Sequence, residues 1–96
     1  MLKHNLRKKY NISPEQRNSL IVIQGGKCAV SGRRVEFKKH SLAVPAGTSA
    51  VIDHDHGTGK IRGILSNNIN RGLGLFDHNP EWLRKAADYL ESHKAN

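Results

Sequence analysis

The sequence predicts a small α+β domain in which a strand–turn–strand–helix unit forms the core and further helices flank it. Three observations carry that expectation. An apolar pair, Val51-Ile52, and a returning strand, Lys60-Ile61-Arg62-Gly63-Ile64-Leu65 with Ile61 and Leu65 apolar, lie either side of Gly57-Thr58-Gly59, and glycine takes the positive φ of a tight turn without steric cost. Helix-start signatures stand at Ser13-Pro14-Glu15-Gln16, at Ser66 and at Asn79-Pro80. The chain has 96 residues with no internal repeat and no low-complexity linker, so residues 1–96 are expected to form one domain.

In chain order, residues 1–12 are a basic segment carrying Lys3, Arg7, Lys8 and Lys9. Lys8 and Lys9 are candidate phosphate contacts; a frayed terminus is the duller alternative. A helix is expected over residues 14–24. Ser13 caps it, Pro14 fits the first position, where no N–H partner is needed, and Gln16 completes a capping box. Gly25-Gly26 stops it, and Leu20, Ile21 and Ile23 give it a buried side. Arg33, Arg34, Lys38 and Lys39 form a second basic cluster. Within it Val35-Glu36-Phe37-Lys38 alternates like a half-buried strand, with Glu36 and Lys38 facing outward. Residues 40–50 read as a loop, with His40 on its surface. After the hairpin a short helix starts at Asn67 with Ser66 as its cap and Ile69 and Leu73 on one side. Gly72 and Gly74 limit it, each costing about 1 kcal/mol against alanine in a helix interior. Residues 80–93 form the last helix, capped by Asn79. Leu83, Ala86, Ala87 and Leu90 recur on it at helical spacing, flanked by Trp82 and Tyr89, so it is a core or dimer element in which Trp82 is packed.

Composition narrows the function. Hydrophobic residues make up 36% and aromatic residues 5%, a modest supply for a core, so a dimer or a metal would help so small a domain. Sixteen Lys and Arg against eight Asp and Glu give a net charge of +8, which suits a polyanionic partner such as DNA; the alternative is a merely solvated basic surface. A single Cys excludes an intrachain disulfide and suits a reducing compartment. No apolar run approaches the length of a membrane span, and the basic amino terminus lacks the apolar block of a secretory signal.

The chemistry concentrates at Asp53-His54-Asp55-His56, placed beside the hairpin loop, with Asn70 on the helix that follows. Aspartate and histidine are also common in plain turns, so the run alone is a weak signal. A carboxylate, two imidazoles and a downstream amide next to a basic surface make a coherent metal-and-base layout. Lys60, Arg62 and Arg71 lie close by in sequence, and with Arg33 and Arg34 they are candidate DNA contacts or plain surface charges.

The sequence resembles the phage recombination endonuclease VII family, a branch of the ββα-metal (HNH, His-Me finger) nucleases. The resemblance runs from Tyr10 to Leu90. It rests on Tyr10 through Gln16, Gln24-Gly25-Gly26-Lys27-Cys28, Asp53-His54-Asp55-His56, Thr58-Gly59, Arg62-Gly63, Asn70, Gly72-Leu73-Gly74 and Ala86-Ala87-Asp88-Tyr89-Leu90. It implies a ββα-metal core over residues 51–75, with Asp53 and Asn70 as ligands of a divalent metal. It also implies His54 as the general base and His56 as a second active-site histidine that helps orient phosphate or metal. Mg²⁺ suits two oxygen donors, because it keeps several waters and needs few protein groups; Mn²⁺ is the substitute. Strict strand alternation would put Asp53 and His54 on opposite faces, so the chain must bend at the strand end.

The sequence also departs from the family. Where many members carry two Cys-x-x-Cys pairs holding a structural zinc, this chain has Cys28 and Ser31, then Ser66 and Ile69, so no structural zinc is expected. The implied activity is metal-dependent cleavage of duplex or branched DNA in the cytoplasm of a phage-infected or lysogenic host. Cutting both strands of a junction would favour a homodimer. The alternative is a non-catalytic DNA-binding accessory protein derived from such a nuclease.

Overall fold

An antiparallel hairpin forms the centre of the fold in the computed structural model of the chain, which describes residues 12–37 and 47–94. Its strands are β1 (Ala50–His54) and β2 (Ile61–Ser66). Around it lie α1 (Pro14–Ile23), α2 (Asn67–Leu75) and α3 (Pro80–Ser92), giving the mixed α+β architecture that the sequence implied. Pairing runs Ala50 to Ser66, Val51 to Leu65, Ile52 to Ile64 and Asp53 to Gly63, and then jumps to His54 opposite Ile61. The apolar side chains buried among the described residues are Ile12, Cys28, Ala50, Ile52, Ile64 and Leu65. Burying a large aliphatic side chain contributes about 1.5–3 kcal/mol, so most of the apolar stabilisation sits on the hairpin and the segments that cover it.

α1 begins as predicted. Gln16 N donates to Ser13 Oγ at 3.1 Å and Ser13 N donates to Gln16 Oε1 at 2.8 Å, a complete capping box. The helix ends at Gln24, where Gly25 and Gly26 take φ of 66° and 72° and reverse the chain. Gln24 then ties the helix end to the sheet. Its Nε2 donates to Lys27 O at 2.8 Å and to Ile64 O at 2.9 Å, while its Oε1 accepts from Ile64 N at 2.9 Å. The side-chain amide pairs with Ile64 as a neighbouring strand would. A Cβ at Gly63 would approach Gln24 Oε1 at 3.1 Å, so glycine there lets the amide come this close.

Several expectations need correction. Ile23 is 78% exposed, while Leu20 and Ile21 are half-buried, so the covered side of α1 stops short of Ile23. Residues 35–37 form no strand. Glu36 makes a single parallel bridge to Ser49, although Val35 and Phe37 are half-buried and Glu36 exposed, as the alternation implied. Ser66 makes no side-chain cap on α2, since its hydroxyl donates to Asn68 Oδ1 at 2.7 Å. α2 runs through Gly72 and Gly74, its packing against both strands outweighing the propensity cost of the glycines. α3 is capped as expected, with Trp82 N donating to Asn79 Oδ1 at 3.0 Å. Its apolar stripe is mostly uncovered: Leu83 and Ala86 are half-buried, while Trp82 is 50% exposed and Leu90 66%. Lys8, Lys9, Lys38, Lys39 and His40 lie outside the described residues.

Candidate active site

The jump in strand register falls between Asp53 and His54. Gly63 and Ile61 are paired across it, so Arg62 is the residue passed over, a bulge on β2 opposite the Asp53–His54 step. Asp53 is 6% exposed. Arg62 closes on it as a two-pronged fork, Nε to Oδ2 at 2.7 Å and a terminal nitrogen to Oδ1 at 3.0 Å. Such charge-assisted, bidentate pairing fixes the carboxylate plane as well as neutralising it. The same contact holds the Arg62 guanidinium even more firmly in its charged form. Arg62, read from the sequence as a DNA contact, therefore has its guanidinium committed to Asp53.

Beyond the strand, Asp55 organises the loop. Its Oδ1 accepts from Gly57 N at 2.8 Å and from Thr58 N at 2.9 Å, an Asx-type turn that Gly59 completes at φ 76°. The Thr58 and then the Gly57 N–H hold this carboxyl below its ordinary range. Asp55 is thus a turn former, which separates its role from that of Asp53. The loop sets His56 next to His54, the rings stacked with centroids 5.1 Å apart. A third imidazole, which sequence reasoning missed, meets them. His78, from the loop between α2 and α3, lies 4.9 Å from the His56 ring, and its Nδ1 is 3.3 Å from an Arg62 terminal nitrogen.

Asn70 sits on the first turn of α2, half-buried, on a helix that touches both strands. Asp53 and Asn70 are oxygen donors, the kind of set Mg²⁺ or Mn²⁺ prefers. Among the described residues no three or more His, Cys, Asp or Glu are grouped so as to hold a metal ion. A carboxylate has about four lone-pair sites, so Asp53 keeps acceptor capacity after receiving two bonds from Arg62. The donor set therefore fits a hard dication in kind. Arg33, Arg34, Lys60 and Arg71 are all exposed.

Cys28, Ser31 and Ser66 are gathered at one place. Cys28 Sγ accepts from Ser31 N at 3.4 Å and lies 3.7 Å from Ser66 Oγ. Burial pushes the Cys28 thiol up, but hydrogen bonds from Ser31, Ser66 and Val30 outweigh it and bring it down to about 6. Ser31 Oγ accepts from Arg33 N at 3.3 Å. Ile69 lines an apolar hollow with Val30, Leu73, Phe76 and Leu83.

A bulged hairpin presenting Asp-His-Asp-His, followed directly by a helix carrying asparagine, defines a small α+β domain. The family model for recombination endonuclease VII matches residues 3–92, and the chain belongs to that family. It is 34% identical over 87 residues to the Gene 59 protein of Mycobacterium phage D29, covering 90% of this chain and 47% of that protein. It is 33% identical over 82 residues to the Gene 59 protein of Mycobacterium phage L5, covering 84% of this chain and 44% of that one. The chain thus spans about half the length of these curated relatives. No solved structure matches it. No helix among the described residues is long and apolar enough to cross a membrane.

Proposed function

We propose that the chain is a metal-dependent DNA endonuclease of the ββα-metal (HNH) type, hydrolysing phosphodiester bonds in duplex or branched DNA. The observation that carries this reading is the Asp53-His54-Asp55-His56 run at the irregular end of the hairpin, where Asp53 is buried and the His54 and His56 rings stack 5.1 Å apart. Membership of the endonuclease VII family and the charge of +8 support it.

In this reading His54 takes a proton from the attacking water, the exchange near neutral pH for which histidine is suited. The water oxygen bonds to phosphorus as the P–O bond to the leaving sugar oxygen breaks. His56, stacked on His54, limits the freedom of that ring and faces the phosphate. Asp53 and Asn70 would hold the divalent metal, which supplies a Lewis acid that offsets charge on the phosphoryl group and leaving oxygen. Arg62 sets the orientation of the Asp53 carboxylate. Exposed Arg33, Arg34, Lys60 and Arg71, together with Lys8 and Lys9, contact flanking phosphates. A homodimer would place two such centres on the two strands of a junction. No structural zinc takes part.

One observation favours the rival, a non-catalytic DNA-binding protein: Arg62 already engages both oxygens of the proposed ligand Asp53. Incubating the protein with supercoiled plasmid and with a synthetic four-way junction separates the two. Nicking or cleavage that requires Mg²⁺ or Mn²⁺ and stops with chelator is expected. Binding without cleavage under every metal condition would favour the accessory role.

A further inference from the structure

His78 lies 22 residues beyond His56 in sequence (78 against 56), yet its ring rests against the His56 ring at 4.9 Å. Asp77 and His78 both have positive φ, 53° and 54°, which non-glycine residues seldom adopt. The loop is pinned in this shape by the end of α2, with Asp77 N donating to Gly74 O at 2.9 Å and His78 N to Leu73 O at 2.8 Å. Strain of this kind persists only where surrounding structure enforces it, and it collects at functional sites. Here its result is to aim the His78 ring at the hairpin. Guanidinium groups only donate, so the 3.3 Å contact with Arg62 requires Nδ1 of His78 to accept. Acceptance at Nδ1 corresponds to the tautomer with its proton on Nε2.

Asp53, Arg62 and His78 therefore form a continuous chain of hydrogen bonds, from the buried carboxylate through the guanidinium to the imidazole. Arg62 is 39% exposed at its side chain, so the Asp53 contacts alone leave its outer edge open to solvent. We propose that His78 is a positioning residue of the active site, accepting from Arg62 so that the guanidinium stays forked on Asp53. This role rests on the nuclease reading. Groups that orient a metal-binding carboxylate without touching the metal typically matter about 10–100-fold in affinity or activity.

The test uses two substitutions chosen for the backbone. His78→Gly removes the ring without strain at positive φ, and His78→Asn restores an acceptor near the Nδ1 position while tolerating the left-handed conformation. His78→Gly should lower kcat about 10–100-fold with little change in KM for DNA and little change in Tm. His78→Asn should recover most of the lost kcat. Nitrogen-15 NMR of the wild-type histidines, above the ordinary histidine titration range, should report His78 as the Nε2–H tautomer. That tautomer should lose its preference in Arg62→Gln. A wild type that cleaves while His78→Gly cleaves equally fast would overturn this role and leave the nuclease reading standing, as would an Nδ1–H tautomer or a loss that asparagine does not recover. A wild type that cleaves no DNA with any divalent metal would overturn both.

Discussion

Asp53 and Asp55 are the same residue type two positions apart, and the structure gives them different work. Asp53 is buried on Arg62, and Asp55 closes the loop by accepting from Gly57 and Thr58. Asp55→Ala should lower Tm without abolishing folding, a change that thermal denaturation would measure. The pH dependence has a definite sign. The Asp55 carboxyl is held below its ordinary range by the Thr58 and Gly57 N–H groups, so its contribution is present at neutral pH. It fades as pH falls through the ordinary carboxylate range and is lost below the lowered pKa. The alanine variant should therefore lose stability less steeply on acidification than the wild type. The four-residue run at 53–56 was legible because its members are adjacent. The division of labour between the two aspartates was not, since it depends on a strand bulge and on an Asx turn. His78 was illegible for a different reason: only the α2–α3 loop brings it to the hairpin, and an isolated histidine carries no local signal.

At the scale of elements, helix starts were the easiest to read, because a cap is a local chemical fact. The complete box at Ser13 and the cap at Asn79 follow from the side chains alone. Ser13→Ala should cost about 1 kcal/mol, measured by urea denaturation, through loss of the bond to Gln16 N. Gln24 was read only as the helix end, yet it joins α1 to β2 through Ile64 on both its N–H and its carbonyl. Gln24→Ala would leave those partly buried groups without their partner and should destabilise by about 1–3 kcal/mol, more than the loss of the cap. Equal or smaller destabilisation than Ser13→Ala would mean that water replaces the amide at no cost. Strand content at 35–37 was over-read, because alternation reports which side chains are covered and says nothing about whether a partner strand lies alongside. Exposure of Trp82 and Leu90 on α3 was likewise hidden, since a helical stripe records amphipathicity and leaves open what covers it.

For the whole molecule, the net charge of +8 and the exposed Arg33, Arg34, Lys60 and Arg71 would make the proposed DNA binding an electrostatic matter. Binding should weaken steeply and linearly in log–log form as salt rises, because each phosphate contact releases condensed counterions. Arg33→Ala combined with Arg34→Ala should flatten that slope, whereas a slope unchanged by the pair would place the DNA path elsewhere. In the proposed nuclease the bulged hairpin is the catalytic centre, with His54 as its base. The most direct measurement compares single-turnover cleavage by the wild type and by His54→Ala at saturating divalent metal and near-neutral pH, with DNA affinity determined in parallel. The rate should be lower by about 10²–10⁴-fold in the variant, with affinity changed little. Cleavage by His54→Ala at the wild-type rate would contradict it.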